Sequence, residues 1–269
     1  PVAGTATQWL GGEVYKIPLS PENNFLPDLE SIPSNILSRS KILVLCYPNS
    51  PTGKTATVEF YEKVVEFAKK NRIIVVQDAA HMMLSYETAP LSFLSIKGAK
   101  DVGVEVHSMS KGFHMIGWRL GWVCGHEKIV QAFADVKDNC DSGQFIAIQK
   151  AAAAALGDPH IPHQVREKYR RRLEKLVGVL RSVGFECEMP GGTYFLYTKS
   201  PKGAGDQSFA NASEAGQFLI KELSISTVPW DDCGAFTRFS VTYEAHDETA
   251  ENELMADLHS RLTQAQLKF

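Results

Sequence analysis

The sequence predicts an α/β fold with a mostly parallel sheet, followed by a smaller α+β domain. In the first half, continuous apolar runs of strand length alternate with helical segments, as in parallel sheets covered by helices. After about residue 127, helices dominate and only short strand-like segments follow. The 269 residues are 44% hydrophobic and 22% charged, which suffices for a large core. We expect a large domain over residues 1–165 and a small domain over residues 166–269.

The first domain is predicted to contain four strands and one clear intervening helix. The start, PVAGTATQWLGGEVYKIPL, reads as strand-like, and the polar, proline-containing stretch after it reads as loop with one helical turn. The helix is predicted at 57–71, where Phe60, Val64 and Ala68 recur at helical spacing. The strands are predicted at 41–47, 72–78, 102–109 and 119–125.

The second half is predicted to be mainly helical, with short strands toward its end. Its helices are expected at 127–139, 142–156, 163–184, 213–223 and 248–262. Its strands are expected at 185–189, 193–199, 224–229 and 237–243. The Gly-, Ser- and Asn-containing segment 200–213 reads as a mobile surface loop, and the alanine run 151–156 as close helix packing at a subunit contact.

Composition argues against several classes of protein. A net charge of −3 without a long basic run argues against nucleic-acid binding, and the basic stretch 168–175 reads as the solvated face of a helix. No apolar run approaches the roughly 18–20 residues of a membrane span, and the start lacks signal-peptide features. Five scattered cysteines suggest a reducing cytoplasm. No metal site is expected, and His107, His114 and His126 are not expected to be metal ligands.

Four features with polar or charged side chains fall at the ends of the predicted strands. The turn PNSPTG follows strand 41–47, Asp78 ends strand 72–78, the segment SMSK follows strand 102–109, and Arg119 opens the next strand. Open α/β sheets bind ligands at the carboxyl ends of their strands. We therefore expect these four features to converge on one site.

Lys111 has the surroundings expected of a reactive lysine. It lies between two apolar segments, where partial desolvation lowers an amine pKa and favours attack on carbonyls. Ser108, Ser110 and Arg119 supply the donors that a phosphate requires. A carboxylate such as Asp78 could keep a pyridine nitrogen protonated. Together these residues predict a pyridoxal 5'-phosphate site.

At these residues the sequence resembles a known family. The stretch VHSMSKGFHMIGWRLGWV (106–123) looks like the lysine motif of fold-type-I aminotransferases of class I/II. PNSPTG, VVQDAAH, PGGTYFLY and TRFSVTY match further blocks of that family in the same order. The lysine motif together with residues 137–156 is most similar to LL-diaminopimelate aminotransferases. The resemblance covers essentially the whole chain, and it implies a fold-type-I large domain with a smaller C-terminal domain.

The resemblance implies a role for each matching residue. Lys111 forms the Schiff base with pyridoxal phosphate and later shuttles a proton, and Asp78 pairs with the pyridine nitrogen. Ser108, Ser110 and Arg119 hold the phosphate. Arg238 grips the substrate α-carboxylate as a bidentate fork. Gly117 and Gly121 are expected to permit close backbone approach or tight turns.

The sequence departs from the family pattern at three places. Where the family has an asparagine that donates to the cofactor's phenolic oxygen and helps to hold the substrate, this chain has Ser50, with Asn49 one residue earlier. Where the family has a tyrosine donor three residues after the aspartate, this chain has His81. The chain also begins after the family's first phosphate-binding turn, so it reads as the interior of a longer protein.

The favoured function is amino-group transfer between an L-amino acid and a 2-oxo acid, such as LL-diaminopimelate and 2-oxoglutarate. The resemblance also implies a homodimer. Two alternatives remain open at this point. One is a β-lyase on the same scaffold, and the other is a truncated, non-catalytic module with the pyridoxal-phosphate fold.

Overall fold

The computed structural model describes residues 2–87 and 89–269, and its contacts divide the chain into two compact units. The first unit comprises residues 1–47, 56–82 and 90–159, and the second comprises 48–55, 83–89 and 160–269. The expected boundary at 165/166 lies inside a long helix. The structure keeps that helix whole in the second unit, because its buried face, including Val165 and Tyr169, packs into the core there.

The first unit is built on a four-stranded sheet of order β1-β2-β3-β4. The first three strands are parallel and the last pairs antiparallel, so the predicted mostly parallel sheet is confirmed. The strands are β1 (Ile42–Cys46), β2 (Ile74–Asp78), β3 (Gly103–Ser108) and β4 (Gly121–Gly125). The helices are α1 (Val2–Trp9), α2 (Ser34–Leu37), α3 (Val58–Asn71), α4 (Glu127–Cys140) and α5 (Ile146–Leu156).

The two faces of this sheet differ in their surroundings. One face carries Leu43, Leu45 and Val75, which belong to one buried cluster with the apolar stripe of α3. On the opposite face, Ile42 is 57% exposed and Val44 is 46% exposed. Parallel sheets are usually covered on both faces. The open face carries the ends of β2 and β3, where the candidate site lies.

The chain start differs from its prediction. Residues 2–9 form α1, whereas a strand-like start was expected. A strand needs a neighbour to satisfy its backbone, and within the described residues this segment pairs with none. The helix satisfies the backbone locally, and the Thr7 hydroxyl donates to the Ala3 carbonyl at 2.8 Å.

The second unit contains two three-stranded sheets and three helices. The sheet orders are β5-β9-β8 and β10-β6-β7. The strands are β5 (Phe195–Lys199), β6 (Gly203–Ala204), β7 (Gln207–Ser208), β8 (Val228–Trp230), β9 (Phe236–Ser240) and β10 (Leu267–Lys268). The helices are α6 (His160–Ser182), α7 (Ala212–Leu223) and α8 (Glu248–Gln264). The predicted helices are confirmed, and β5, β8 and β9 match three of the four predicted strands.

Two predictions in the second unit are wrong. Residues 185–189 alternate between buried and exposed like a strand, but they join no ladder with any other described residue. Side chains satisfy this backbone instead: Arg181 Nε donates to the Cys187 carbonyl at 2.7 Å, and the Thr198 hydroxyl donates to the Glu186 carbonyl. The segment 200–213, predicted as a mobile loop, contains the β6–β7 hairpin. Its turn uses Gly205 at a φ of +52°.

The basic stretch 168–175 is not simply a solvated face. Arg172 is only 1% exposed, and its Nε donates to Glu251 on α8 at 2.7 Å. Its other nitrogens donate to the carbonyls of Val241, Tyr243 and Ala245, which follow β9. Arg172 therefore connects α6 to α8 and to the segment after β9.

Among the described residues, no helix combines the length and apolar character needed to cross a membrane.

Candidate active site

The carboxyl ends of β2 and β3 bring the predicted carboxylate beside the predicted phosphate loop. Asp78 pairs in register with Cys46 on β1 and with Val106 on β3. Ser108 lies two residues beyond Val106, so its side chain points to the same sheet face as that of Asp78. This is the open face, and Asp78 is exposed on it. The ends of these two strands therefore lie side by side, and the convergence of all four features on one site stays a prediction.

The loop after β3 is fixed by short-range contacts. The Ser110 amide donates to the Ser108 hydroxyl at 3.1 Å, and the Met109 amide donates to the Leu120 carbonyl at 3.1 Å. The predicted need for Gly121 is confirmed, because a Cβ there would lie 2.5 Å from the His107 carbonyl oxygen. The same prediction for Gly117 is wrong, since a Cβ there would meet open space.

Lys111 is partly buried, and its surroundings shift its acidity. Burial lowers the pKa of its amine because it penalises the charged form, and the nearby Arg119 guanidinium lowers it further. Asp78 acts in the opposite direction by favouring the charged amine. The net effect is a lowered pKa, so a larger fraction of the amine is neutral and nucleophilic near neutral pH.

Arg119 caps a short 3-10 turn, Ile116–Trp118, and lies two residues before β4. Its backbone is left-handed with a φ of +53°, which is costly for a residue with a Cβ. One guanidinium nitrogen, Nη1, donates to the Ile116 carbonyl at 2.9 Å. The side chain is exposed and lies near enough to Lys111 to act on its charge.

His81 follows β2 and is 7% exposed. The structure therefore brings five predicted residues to one edge of the first unit, and His81 belongs to the same unit three residues after Asp78: the five are Asp78, Ser108, Ser110, Lys111 and Arg119. The predicted contact of His81 with a cofactor stays a prediction.

The turn PNSPTG belongs to the second unit, and its structure explains the different places of Asn49 and Ser50. Asn49 is buried, and its Oδ1 accepts hydrogen bonds from the Thr52 hydroxyl at 2.7 Å and the Thr52 amide at 3.3 Å. The Asn49 carbonyl accepts from the Gly53 amide. Asn49 Oδ1 is thus engaged within the turn, and the ligand-binding role of Ser50 stays a prediction.

Arg238 lies on β9 in the second unit and is partly buried. Its guanidinium carbon lies 3.9 Å from the ring centroid of Phe195. Burial lowers the pKa of this guanidinium, and Tyr194 opposes the shift. Across residues 2–87 and 89–269, no carboxylate pairs with Arg238 and its buried Nε has no hydrogen-bond acceptor. A buried donor without an acceptor is expected where an anionic ligand binds.

The sequence analysis missed a buried polar network on β3, the strand that precedes the Lys111 loop. Glu105 is 2% exposed, accepts from the Phe93 amide and the Ser92 hydroxyl, and lies 3.0 Å from His107 Nε2. Cys124 lies nearby, so three potential metal ligands fall within 4.8 Å of one another. The hydrogen bonds account for the buried carboxylate without a cation. A glutamate inside the apolar run VGVEV was the available signal.

Comparison with known proteins agrees with this geometry. The family model for aminotransferase class I and II matches residues 4–257. The chain is 53% identical to an LL-diaminopimelate aminotransferase of Methanocaldococcus jannaschii and 50% identical to one of Methanococcus maripaludis. Each match covers 100% of this chain and 66% of the relative.

Solved structures show the same likeness. The substrate-bound BacF structure from Bacillus subtilis superposes with a TM-score of 0.89 at 30% identity, over 98% of this chain and 66% of that one. An aminotransferase from Staphylococcus aureus superposes with a TM-score of 0.85 at 25% identity, over 96% and 68%. This chain thus spans about two thirds of the length of these proteins. It belongs to the class I and II aminotransferase family.

Proposed function

We propose that the protein carrying this chain is a pyridoxal-phosphate-dependent aminotransferase that moves an amino group between an L-amino acid and a 2-oxo acid. The observation that carries this proposal is the setting of Lys111. Its amine has a lowered pKa, and Asp78 and Arg119 act on its charge from the same sheet edge. A desolvated lysine between a carboxylate and phosphate-type donors is suited to carbonyl chemistry on a phosphorylated cofactor.

The donor chemistry of the first unit fits pyridoxal phosphate, the cofactor of this family. Two hydroxyls, on Ser108 and Ser110, and the Arg119 guanidinium are the groups that would hold its phosphate. The Asp78 carboxylate would hold the ring nitrogen in its protonated form. When bound, the cofactor supplies an electron sink for the bonds at the substrate α-carbon.

Two side chains of this chain then act on the substrate. The neutral amine of Lys111 takes a proton from the substrate α-carbon and returns it to a neighbouring carbon. The lowered pKa of Lys111 favours this role because more of the amine is neutral. The Arg238 guanidinium binds the α-carboxylate, and its buried Nε, which has no acceptor among the described residues, gains one. This binding orients the substrate.

Ser50 and His81 are proposed as the donors to the phenolic oxygen of the cofactor. Ser50 is free of the turn contacts that occupy Asn49 Oδ1. A neutral histidine can donate one N–H, which suits His81 for this role. Ser50 is further proposed to help hold the substrate carboxylate.

LL-diaminopimelate is the proposed amino donor and 2-oxoglutarate the proposed acceptor, because the relatives quoted above are named LL-diaminopimelate aminotransferases. A homodimer is proposed as well. Its support is the exposed apolar side chains of α4 and α5, including Phe133, Val136 and Ile146. Five free cysteines support a reducing, cytoplasmic setting.

A half-reaction assay tests the proposed activity. The full-length holoenzyme is mixed with LL-diaminopimelate, L-glutamate or L-alanine without an acceptor, and cofactor absorbance is followed. Conversion of the cofactor to its pyridoxamine form, absent in Lys111→Ala, supports amino transfer. Release of pyruvate and ammonia from β-substituted amino acids in place of that conversion would indicate a lyase. No change with any donor would indicate a non-catalytic module.

A further inference from the structure

The sheet face around Arg238 is rich in aromatic side chains. Arg238 on β9 lies opposite Tyr197 on β5 and Val228 on β8. Directly opposed residues in antiparallel strands share a face, and so do residues two apart along a strand. By this register the apolar members of the face are Phe195, Tyr197, Val228, Trp230 and Phe236, and its other polar members are Lys199 and Ser240.

Three of the aromatic rings of this face have a defined neighbour on it. Tyr197 and Phe236 stack on each other with ring centroids 4.7 Å apart and ring planes 7° from parallel. Phe195 instead lies against Arg238, with 3.9 Å between the guanidinium carbon and the ring centroid. Phe195 is therefore the aromatic partner of the one guanidinium on this face.

A ring is an unusual choice of partner for a partly buried guanidinium. A desolvated cation is normally stabilised by a carboxylate, but within the described chain Arg238 has none. A carboxylate would occupy the N–H edge of the guanidinium and compete with an anionic ligand. An aromatic ring stabilises the cation through its face and leaves the in-plane N–H groups open.

We propose that Phe195 is a positioning residue for the substrate carboxylate. It fixes the plane of the Arg238 guanidinium and offsets part of the cost of burying that cation without occupying its donors. The fork of N–H groups is thereby held ready for one planar, bidentate α-carboxylate. This inference rests on the proposed role of Arg238, and it adds Phe195 to the residues that support substrate binding.

The test is a double-mutant cycle read by binding. The Kd of α-methylglutamate, a non-transaminating amino acid, is measured by calorimetry on full-length holoenzyme. Phe195→Leu should weaken binding by about 3- to 30-fold, which is the range of a partly desolvated cation–π contact. In the Arg238→Gln background the same substitution should have almost no further effect, because Phe195 acts through Arg238. Steady-state kinetics should show a raised KM with kcat nearly unchanged.

Two matched variants guard against a general loss of structure. Phe195→Tyr keeps the aromatic face and should bind within about 2-fold of the parent. Phe209→Leu removes a different buried ring of the second unit, one that contacts Phe218, and should leave the Kd unchanged. Thermal melting of each variant establishes that it is folded.

The outcomes separate this inference from the proposed function. An unchanged Kd in Phe195→Leu, or an equal loss with and without Arg238, overturns the positioning role and leaves the role of Arg238 standing. An unchanged Kd in Arg238→Gln overturns the role of Arg238 as the carboxylate site, and the inference falls with it.

Discussion

Replacing Glu251 by glutamine would remove the carboxylate that neutralises the buried Arg172. Hydrogen bonds from Arg171 come first among the causes that lower the pKa of Glu251 from 4.5 to about 2, and those from Arg172 and Lys175 add to them. A pKa shift of that size corresponds to roughly 3 kcal/mol at about 1.4 kcal/mol per unit. Because the Arg171 side chain is 41% exposed, solvent screening reduces its share. We expect Glu251→Gln to lower the free energy of unfolding by about 2–3 kcal/mol at pH 7.

The sign of the pH dependence follows from the depressed pKa of Glu251. Its ionised form contributes stability above the unfolded value of about 4.5, and this contribution is lost as pH falls toward about 2. Urea unfolding at several pH values should therefore show the parent and Glu251→Gln converging between pH 4.5 and 2. Exposed Glu188→Gln is the control and should lie within about 0.5 kcal/mol of the parent. A stability difference that stays constant with pH, or is below about 1 kcal/mol at pH 7, would refute the reasoning.

Three further changes probe the site directly. Asp78→Asn should fold normally but lower kcat by about two orders of magnitude, because a neutral partner no longer stabilises the protonated ring nitrogen; an unchanged kcat would make Asp78 a turn residue. His81→Phe should raise the pKa seen in the cofactor absorbance titration by on the order of one unit, and His81→Tyr should restore it; an unmoved titration would exclude His81 from the cofactor. Gly121→Ala should destabilise the protein by roughly 1–3 kcal/mol in urea unfolding, because its Cβ would press on the His107 carbonyl. Gly117→Ala, with open space around it, is the matched control.

Much of the first unit could be predicted from sequence because its signals are local. The runs around Leu43, Val75 and Val104 are long, apolar and bounded by turn residues, so their strands are recognisable without knowledge of their partners. Asp78 is the last residue of one such strand, and Lys111 lies three residues beyond the end of another. Because neighbouring parallel strands end at the same edge of a sheet, both residues could be expected to lie at one site.

The remaining features depend on contacts between distant parts of the chain. The Phe195–Arg238 stack requires the register of β5 against β9, which hydrophobic alternation does not fix. Arg172 lies in a basic stretch that suggests a solvated surface, whereas its burial depends on Glu251 of another helix and on three backbone carbonyls that follow β9. Residues 185–189 have the alternation of a strand but no partner strand in the described part of the chain, so periodicity alone gave the wrong prediction.

The most direct test of the account is the position of the cofactor on the chain. Full-length protein loaded with pyridoxal phosphate is reduced with borohydride, digested and mapped by mass spectrometry, with Lys111→Ala treated in parallel. The lowered pKa of Lys111 and its place between Asp78 and Arg119 predict a pyridoxyl group on the Lys111 peptide and none in the variant. A pyridoxyl group on another lysine of the parent protein, or equal labelling in Lys111→Ala, would contradict the account.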